Sequence, residues 1–363
     1  MVPPSERGPG EEEVPHVRTY FYAGGEYVED GKGNHFLHNQ MYVEKLVPAR
    51  GVTQAWPIVL MHGNCMTGAN FLNKPDGGRG WASNFLEQGY EVYIPDQPLR
   101  ARSAWHPGDG VPSPAAYPAE LLQDRFTAPR VSRQWPQAAR HTQWPGTGMM
   151  GDAVFDALYA STVQFVSNEA CQQAAAQRAG AALLDRIGRP AVLLGHSQAG
   201  AYPPLIADAR PHLVRSMVLL EPRGPPFQEA VFSRRRSKLW GIWDTPMTYE
   251  PAVGDPDRDL VKVTHAPVSP GLAERVLQAE DPPPRKLKNL VHKPMLVVTA
   301  EASYHAVYDY CTVEFLRQAG CDKVEHLELA GIGILGNGHM MFLEKNSGEI
   351  QGAVEQWIQK AVK

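Results

Sequence analysis

No apolar run in this 363-residue chain approaches the roughly 18 residues that a membrane-crossing helix needs. No sign of charge dominates either. Lys and Arg number 35 against 39 Asp and Glu, a net charge of -4, which gives no reason to expect nucleic acid or an anionic membrane as partner. Cysteine is scarce: Cys65, Cys171, Cys311 and Cys321 in so long a chain do not build a disulfide framework. None stands in the paired C-x-x-C spacing of a zinc site, so no metal and no cofactor is expected; the pairing of Cys311 with Cys321 stays open. His35 and His38 have no third ligand near in sequence and read as exposed strand or turn histidines. The N-terminal MVPPSERGPGEEEVP lacks an apolar segment and carries three consecutive acids. It is unlike a secretory leader, and a cytoplasmic location is expected.

The length exceeds what a single α/β core usually needs, and 43% hydrophobic with 20% charged residues is ordinary for a globular enzyme. Residues 1–15 read as a flexible arm. Val17 to Val28 and Gln40 to Val47 alternate apolar and polar residues around glycine turns and predict an antiparallel β-meander. Short apolar strands then alternate with helical spacing, predicting an α/β core over 16–222 and 291–363 with a mostly parallel central sheet flanked by helices. The spacing predicts one long helix from Asp152 to Gly188. Two Pro- and Trp-rich stretches interrupt the core: an excursion over the rim at 104–150 and a cap or lid insertion at 223–290. Trp105, Trp144, Phe227 and Trp243 are candidates for a substrate wall; each could equally fill a core of its own. The run Arg234 to Arg236 reads as a solvated face.

The densest signal is PAVLLGHSQAGAY, Pro190 to Tyr202. A buried strand runs into a sharp turn with Ser197 at its apex, followed by small residues suited to a helix packed on a sheet, the layout of a nucleophile elbow. Such a turn strains the apical backbone and needs nearly side-chain-free neighbours two positions away. Gly195 and Ala199 fill those places, with Gly200 beside them. Because G-x-S-x-[GA] also recurs in plain strand-to-helix turns, the rest of the chain must supply an oxyanion donor, a carboxylate and a histidine. The strand Trp56 to Met61 runs into His62-Gly63-Asn64-Cys65, where the Asn64 N–H is the expected oxyanion donor, with Cys65 the runner-up and the Gln198 N–H as the second donor. Nothing near Cys65 suggests an activating base, so it reads as a structural thiol. His339 is delivered by a Gly-rich loop after the last strand, at the end of the order Ser, acid, His that suits such a triad. For the acid, Glu221 at the end of the strand Val214 to Leu220 is preferred to Glu301. Asp309 falls inside a helix, and Asp96 reads as a loop brace for Arg100 or Arg102.

HGNCMTG, DQPLRARSAW, GHSQAG, LLEP and NGHM together resemble the esterase 713-like group of α/β-hydrolases, from about Tyr20 to the C-terminus. The resemblance implies the α/β-hydrolase fold, ester hydrolysis and a Ser-Glu-His triad falling on Ser197, Glu221 and His339, with Asn64 and Gln198 as oxyanion donors. Where that group often carries two adjacent cysteines, this chain has Asn64-Cys65, so a vicinal disulfide is impossible. The resulting expectation is a serine hydrolase of carboxylic esters or lactones, acting on a small-molecule substrate that is bulky and apolar or aromatic, in a chain that could form a homodimer. The same fold could instead cleave carbon–carbon bonds, act as a perhydrolase, or serve as a non-catalytic ligand receptor.

Overall fold

The computed structural model describes residues 12–107 and 112–363; most of the arm expected over 1–15 lies outside them. The short apolar runs become the interior of one eight-stranded sheet: β1 (His16–Glu29), β2 (His35–Pro48), β3 (Ile58–Met61), β4 (Val92–Pro95), β5 (Ala191–His196), β6 (Val214–Leu220), β7 (Met295–Thr299) and β8 (Val324–Glu328). In space they lie in the order β1-β2-β4-β3-β5-β6-β7-β8. From β4 to β8 all pairings are parallel, while β1 and β2 form an antiparallel hairpin on the β4 edge. The expected meander is thus a single long hairpin that continues the main sheet. Within it His35 is exposed but His38 is buried, because alternate residues of a strand face opposite sides.

Five helices cover the sheet: α1 (Trp81–Glu87), α2 (Glu169–Ile187), α3 (Tyr202–Ala209), α4 (Asp309–Gln318) and α5 (Ser347–Ala361). Strands buried on both faces carry continuous apolar sequence, and the pleat divides it. Val59, Leu193, Met217, Leu219 and Val297 join the core under α2, α3 and α4, whereas Ile58, Leu60, Leu194, Val218 and Val298 join the core under α1 and α5. This is the helix-flanked, mostly parallel sheet that the sequence predicts. Helices α2 and α3 approach closely at Gly180, where an added Cβ would stand 2.3 Å from Ile206 Cδ1.

The single helix expected over 152–188 is two, Ala153–Ala160 and α2, separated by a two-residue strand Phe165–Val166. Ser161 and Thr162 donate their hydroxyls to the Leu158 and Tyr159 carbonyls, which ends the first helix by satisfying its last acceptors. Asn168 then starts the second, its side chain accepting the Cys171 N–H at 2.9 Å, an N-cap.

Residues 223–290 contain only short strands and one helical turn, and they anchor to the sheet through apolar side chains including Ile242, Trp243, Tyr249 and Leu287. Trp243 is fully buried and its Nε1–H donates to the Ala201 carbonyl at 2.9 Å. Trp243→Ala is therefore expected to destabilise the fold by about 3–5 kcal/mol through the cavity left. Thermal melting checks this: an unchanged melting temperature would mean that this segment contributes little to the core.

Candidate active site

Strand β5 ends at His196 and the chain passes through a 3-10 turn, Ser197–Ala201, into α3. Ser197 sits at φ 57°, a strained position for a side-chain-bearing residue. The turn is this tight only because residue 195 is glycine: a Cβ there would lie 2.1 Å from the Ala199 carbonyl oxygen. A Cβ on Gly200 would stand 2.5 Å from Pro222 Cα, so the start of the helix is pressed against the residue that follows Glu221. That contact brings the end of β6 beside the turn after β5.

The three residues proposed from sequence meet there. Ser197 Oγ lies 2.9 Å from His339 Nε2, and His339 Nδ1 lies 2.6 Å from Glu221 Oε2. Glu221 is wholly buried, its carboxyl accepting the Ala300 N–H at 2.8 Å and the Ser303 hydroxyl at 2.6 Å. Burial pushes its carboxyl well up, as does nearby Asp309, while the Ser303 and Ala300 hydrogen bonds act the other way. Burial, and then the His196 and His305 rings, hold His339 well below the ordinary imidazole range. Glu301, the alternative acid, instead meets Arg140 at 3.3 Å and accepts the Gly336 N–H at 2.9 Å.

The loop carrying His339 is pinned by residues that sequence reading missed. Glu344 accepts the Gly338 N–H at 3.0 Å and the Asn337 side-chain amide at 2.7 Å, and it meets His141 at 2.7 Å. His196 Nε2 is 2.9 Å from the His339 carbonyl. The His339 ring itself is walled by Phe126, stacked at 5.1 Å, and by His305, nearly parallel at 4.9 Å. His305 is held by Asp309 at 2.8 Å and by Tyr308 at 3.1 Å; the i, i+4 spacing of this pair was the available signal. Glu221, His305 and His339 also form the group of buried ligand-type side chains closest in geometry to a metal site among the described residues. Their nitrogens already have protein partners.

Behind Ser197, Cys65 has φ 52° and its N–H donates to Asn64 Oδ1 at 3.0 Å, which favours the Asn64 N–H as the free donor in this loop. The Gln198 N–H belongs to the first turn of the 3-10 segment, where backbone donors have no partner within the helix. Burial pushes the Cys65 thiol up to about 12, consistent with a structural role, and all four cysteines are free. Asp96 is taken by Arg102, through contacts of 2.6 and 3.1 Å. Arg100 is left fully buried with no carboxylate at salt-bridge distance among the described residues. Its guanidinium donates to Asn64 Oδ1 at 3.3 Å and to Gln198 Oε1 at 3.0 Å, so one cation ties together the loop after β3 and the turn after β5.

Ser197 and His339 open onto a cavity of about 100 Å³, lined by Asn64, Met66, Tyr117, Leu121, Arg125, Phe126, Tyr304 and Met340 among others. None of the four aromatic residues proposed as its wall lines it. Phe227 packs edge-on against Phe315 at 5.4 Å and Trp243 is held by Ala201, both in the core. Trp144 is buried beneath a separate cleft beside His141 and Lys345. Trp105 packs on a small cluster of Leu99, Val166 and Ala175. Composition marks aromatics as bulky but not which way they face. The residues that do form the wall come from 63–66, from 117–126 and from the segments around 304 and 340, and none from 223–290.

A family model described as "Alpha/beta hydrolase family" matches residues 58–350. A protein of Fungal sp. (strain ATCC 74256), described as "Probable secreted lipase phiG", is 47% identical over 344 residues, spanning 95% of this chain and 90% of that protein. The solved structure of a novel bacterial esterase aligns over 98% of this chain and 99% of its own, with a TM-score of 0.64 at 21% identity.

Proposed function

Because this chain belongs to the alpha/beta hydrolase family, we propose that it is a serine hydrolase of carboxylic esters or lactones, working through an acyl-enzyme on Ser197. The observation that carries this reading is the continuous hydrogen-bonded chain from Ser197 through His339 to Glu221, at 2.9 and 2.6 Å. With its proton on Nδ1, His339 presents a bare Nε2 to the serine hydroxyl. Ser197 Oγ bonds to the substrate carbonyl carbon as its proton passes to Nε2. The Glu221 carboxylate holds the tautomer and stabilises the imidazolium. The Asn64 and Gln198 N–H groups take the developing oxyanion, each supplying about 3 kcal/mol. The proton then moves from His339 to the departing alkoxide, the C–O bond breaks, and water repeats the sequence to free the acid. The Ser-Glu-His arrangement, with the acid on the strand after the nucleophile helix, supports the esterase 713-like assignment.

The apolar and aromatic faces of Met66, Leu121, Phe126, Tyr304 and Met340 suit a bulky apolar or aromatic substrate. The relative described as secreted speaks against the cytoplasmic location expected from the N-terminal composition. A panel of aryl esters, alkyl esters and lactones tests the reaction class. Turnover of at least one class is expected, and a folded protein that turns over none contradicts the reading.

Two further outcomes follow from the electrostatics. His339 must be neutral to accept the serine proton, and its buried ring favours the neutral form. Activity is therefore retained on acidification past the ordinary histidine value of about 6.5 and is lost only at lower pH, as the imidazolium forms. The acid limb of a kcat/KM–pH profile measures this; a midpoint above that value would contradict it. Arg100→Met removes the cation that ties the Asn64 and Gln198 side chains. By the scale of a lost oxyanion donor, kcat is expected to fall about 100-fold with KM little changed, and Arg100→Lys to restore part of the loss. A purely structural Arg100 would instead show equal losses in both variants.

A further inference from the structure

Among the described residues, Arg125 is a cation lining the cavity at Ser197 that meets no carboxylate. Arg125 lies in a five-residue π-helix, Gln123–Thr127, a distortion of the kind often found at functional sites. Its guanidinium stacks on the Phe232 ring at 3.8 Å, and Phe232 in turn packs on Tyr304 at 5.1 Å. The group is thus oriented by a ring on one side and lines the nucleophile's cavity. Among the described residues, no carboxylate and no hydrogen-bond acceptor engages its five N–H donors. The neighbouring phenols of Tyr117 and Tyr304 are pushed up by burial and stay neutral, so they supply no counter-charge. Adjacent Asp124 is turned to Gln134, at 3.3 Å.

Other buried or half-buried cations nearby have their donors taken: Arg100, without a carboxylate, donates to the Asn64 and Gln198 side chains, and three more meet acids. Arg223 meets Glu169, Glu229 and Asp244; Lys238 meets Glu229; Arg102 meets Asp96 and Glu44. A guanidinium presented as a rigid fork with free donors matches a carboxylate bidentately. We propose that Arg125 binds a free carboxylate of the substrate, so that the preferred substrates are esters carrying a second, anionic carboxyl group beyond an apolar spacer. The spacer would run along Leu121, Phe126 and Tyr304. This rests on the ester-hydrolase reading above and adds to it the charge of the substrate.

The test compares kcat/KM for matched pairs of esters that differ only in one free or methylated carboxyl. One series places that carboxyl on the acyl side, as half-esters of straight-chain dicarboxylic acids of increasing length. A second places it on the alcohol side, as acetates of hydroxybenzoic acids. Wild type is expected to favour the charged member of one series by about 10- to 100-fold, the scale of a charge-assisted hydrogen-bonded pair, at a chain length that measures the span from Ser197. Added salt should narrow the preference. In Arg125→Gln the charged-to-neutral ratio is expected to fall to about one, and Arg125→Lys should keep part of it. Competitive inhibition by the free dicarboxylic acid, against its monoacid counterpart, gives a second readout that needs no turnover by the variant. Wild type that hydrolyses both members of every pair equally, or Arg125→Gln that keeps the preference, would overturn this inference alone. Absence of all ester turnover from folded protein would overturn the reaction class as well.

Discussion

Ser197→Ala is expected to lower kcat by about a million-fold, the scale on which removing a triad nucleophile operates, while leaving the fold in place. The reason is geometric. Ser197 Oγ is the atom at 2.9 Å from His339 Nε2, the ring nitrogen turned away from Glu221, and its strained φ of 57° holds it clear of the sheet at the mouth of the cavity. Alanine at this position removes the hydroxyl without filling or emptying the core, so melting temperature should stay the same or rise as backbone strain is retained but one desolvated polar group is lost. Steady-state kinetics on any ester that the wild type turns over measures the effect. A residual rate within 100-fold of wild type would mean that another group is the nucleophile.

Glu221→Gln is the second large effect, with kcat expected to fall about 10,000-fold. The amide keeps the volume of the buried side chain, yet it cannot both accept from His339 Nδ1–H and stabilise the imidazolium. Its NH₂ would also face the Ala300 N–H or the Ser303 hydroxyl, the two donors that now converge on the carboxyl. Glu301→Gln is the matched control. Glu301 steadies the loop before His339 through the Gly336 N–H but does not touch the imidazole, and a loss of about tenfold is expected from slight misplacement. Equal losses in the two variants, or the reverse order, would place the acid elsewhere.

Much of this arrangement was legible because it is local in sequence. Gly195 and Ser197 announce their turn by spacing alone, since no residue but glycine fits against the Ala199 carbonyl. Glu221 could be preferred to Glu301 because a strand followed by proline puts its last side chain at the sheet's C-terminal edge. The parallel core was legible for the same reason: runs such as Ala191 to Leu194 have no polar face. What sequence could not give is direction and pairing across long separations. Trp243 and Phe227 look like wall residues by composition, yet their rings point into the core, while Phe126 and Tyr304 face the cavity. Which arginine Asp96 would choose depended on the turn at residues 99–101, where Leu99 and Ala101 both take positive φ. The choice of Arg102 leaves Arg100 to the Asn64 and Gln198 side chains. The boundary between the two helices at 153–187 was hidden because alanine-rich spacing continues across it, while the caps that end one and start the other are single hydroxyl and amide side chains.

The most direct test of an activated Ser197 is intact-protein mass after incubation with a fluorophosphonate, wild type beside Ser197→Ala, with both first verified as folded. A single adduct on wild type that is absent from the variant is the expected result. Wild type that stays unmodified, or a variant that is labelled equally, would contradict the central claim that Ser197, drawn out by His339 and Glu221, is the nucleophile.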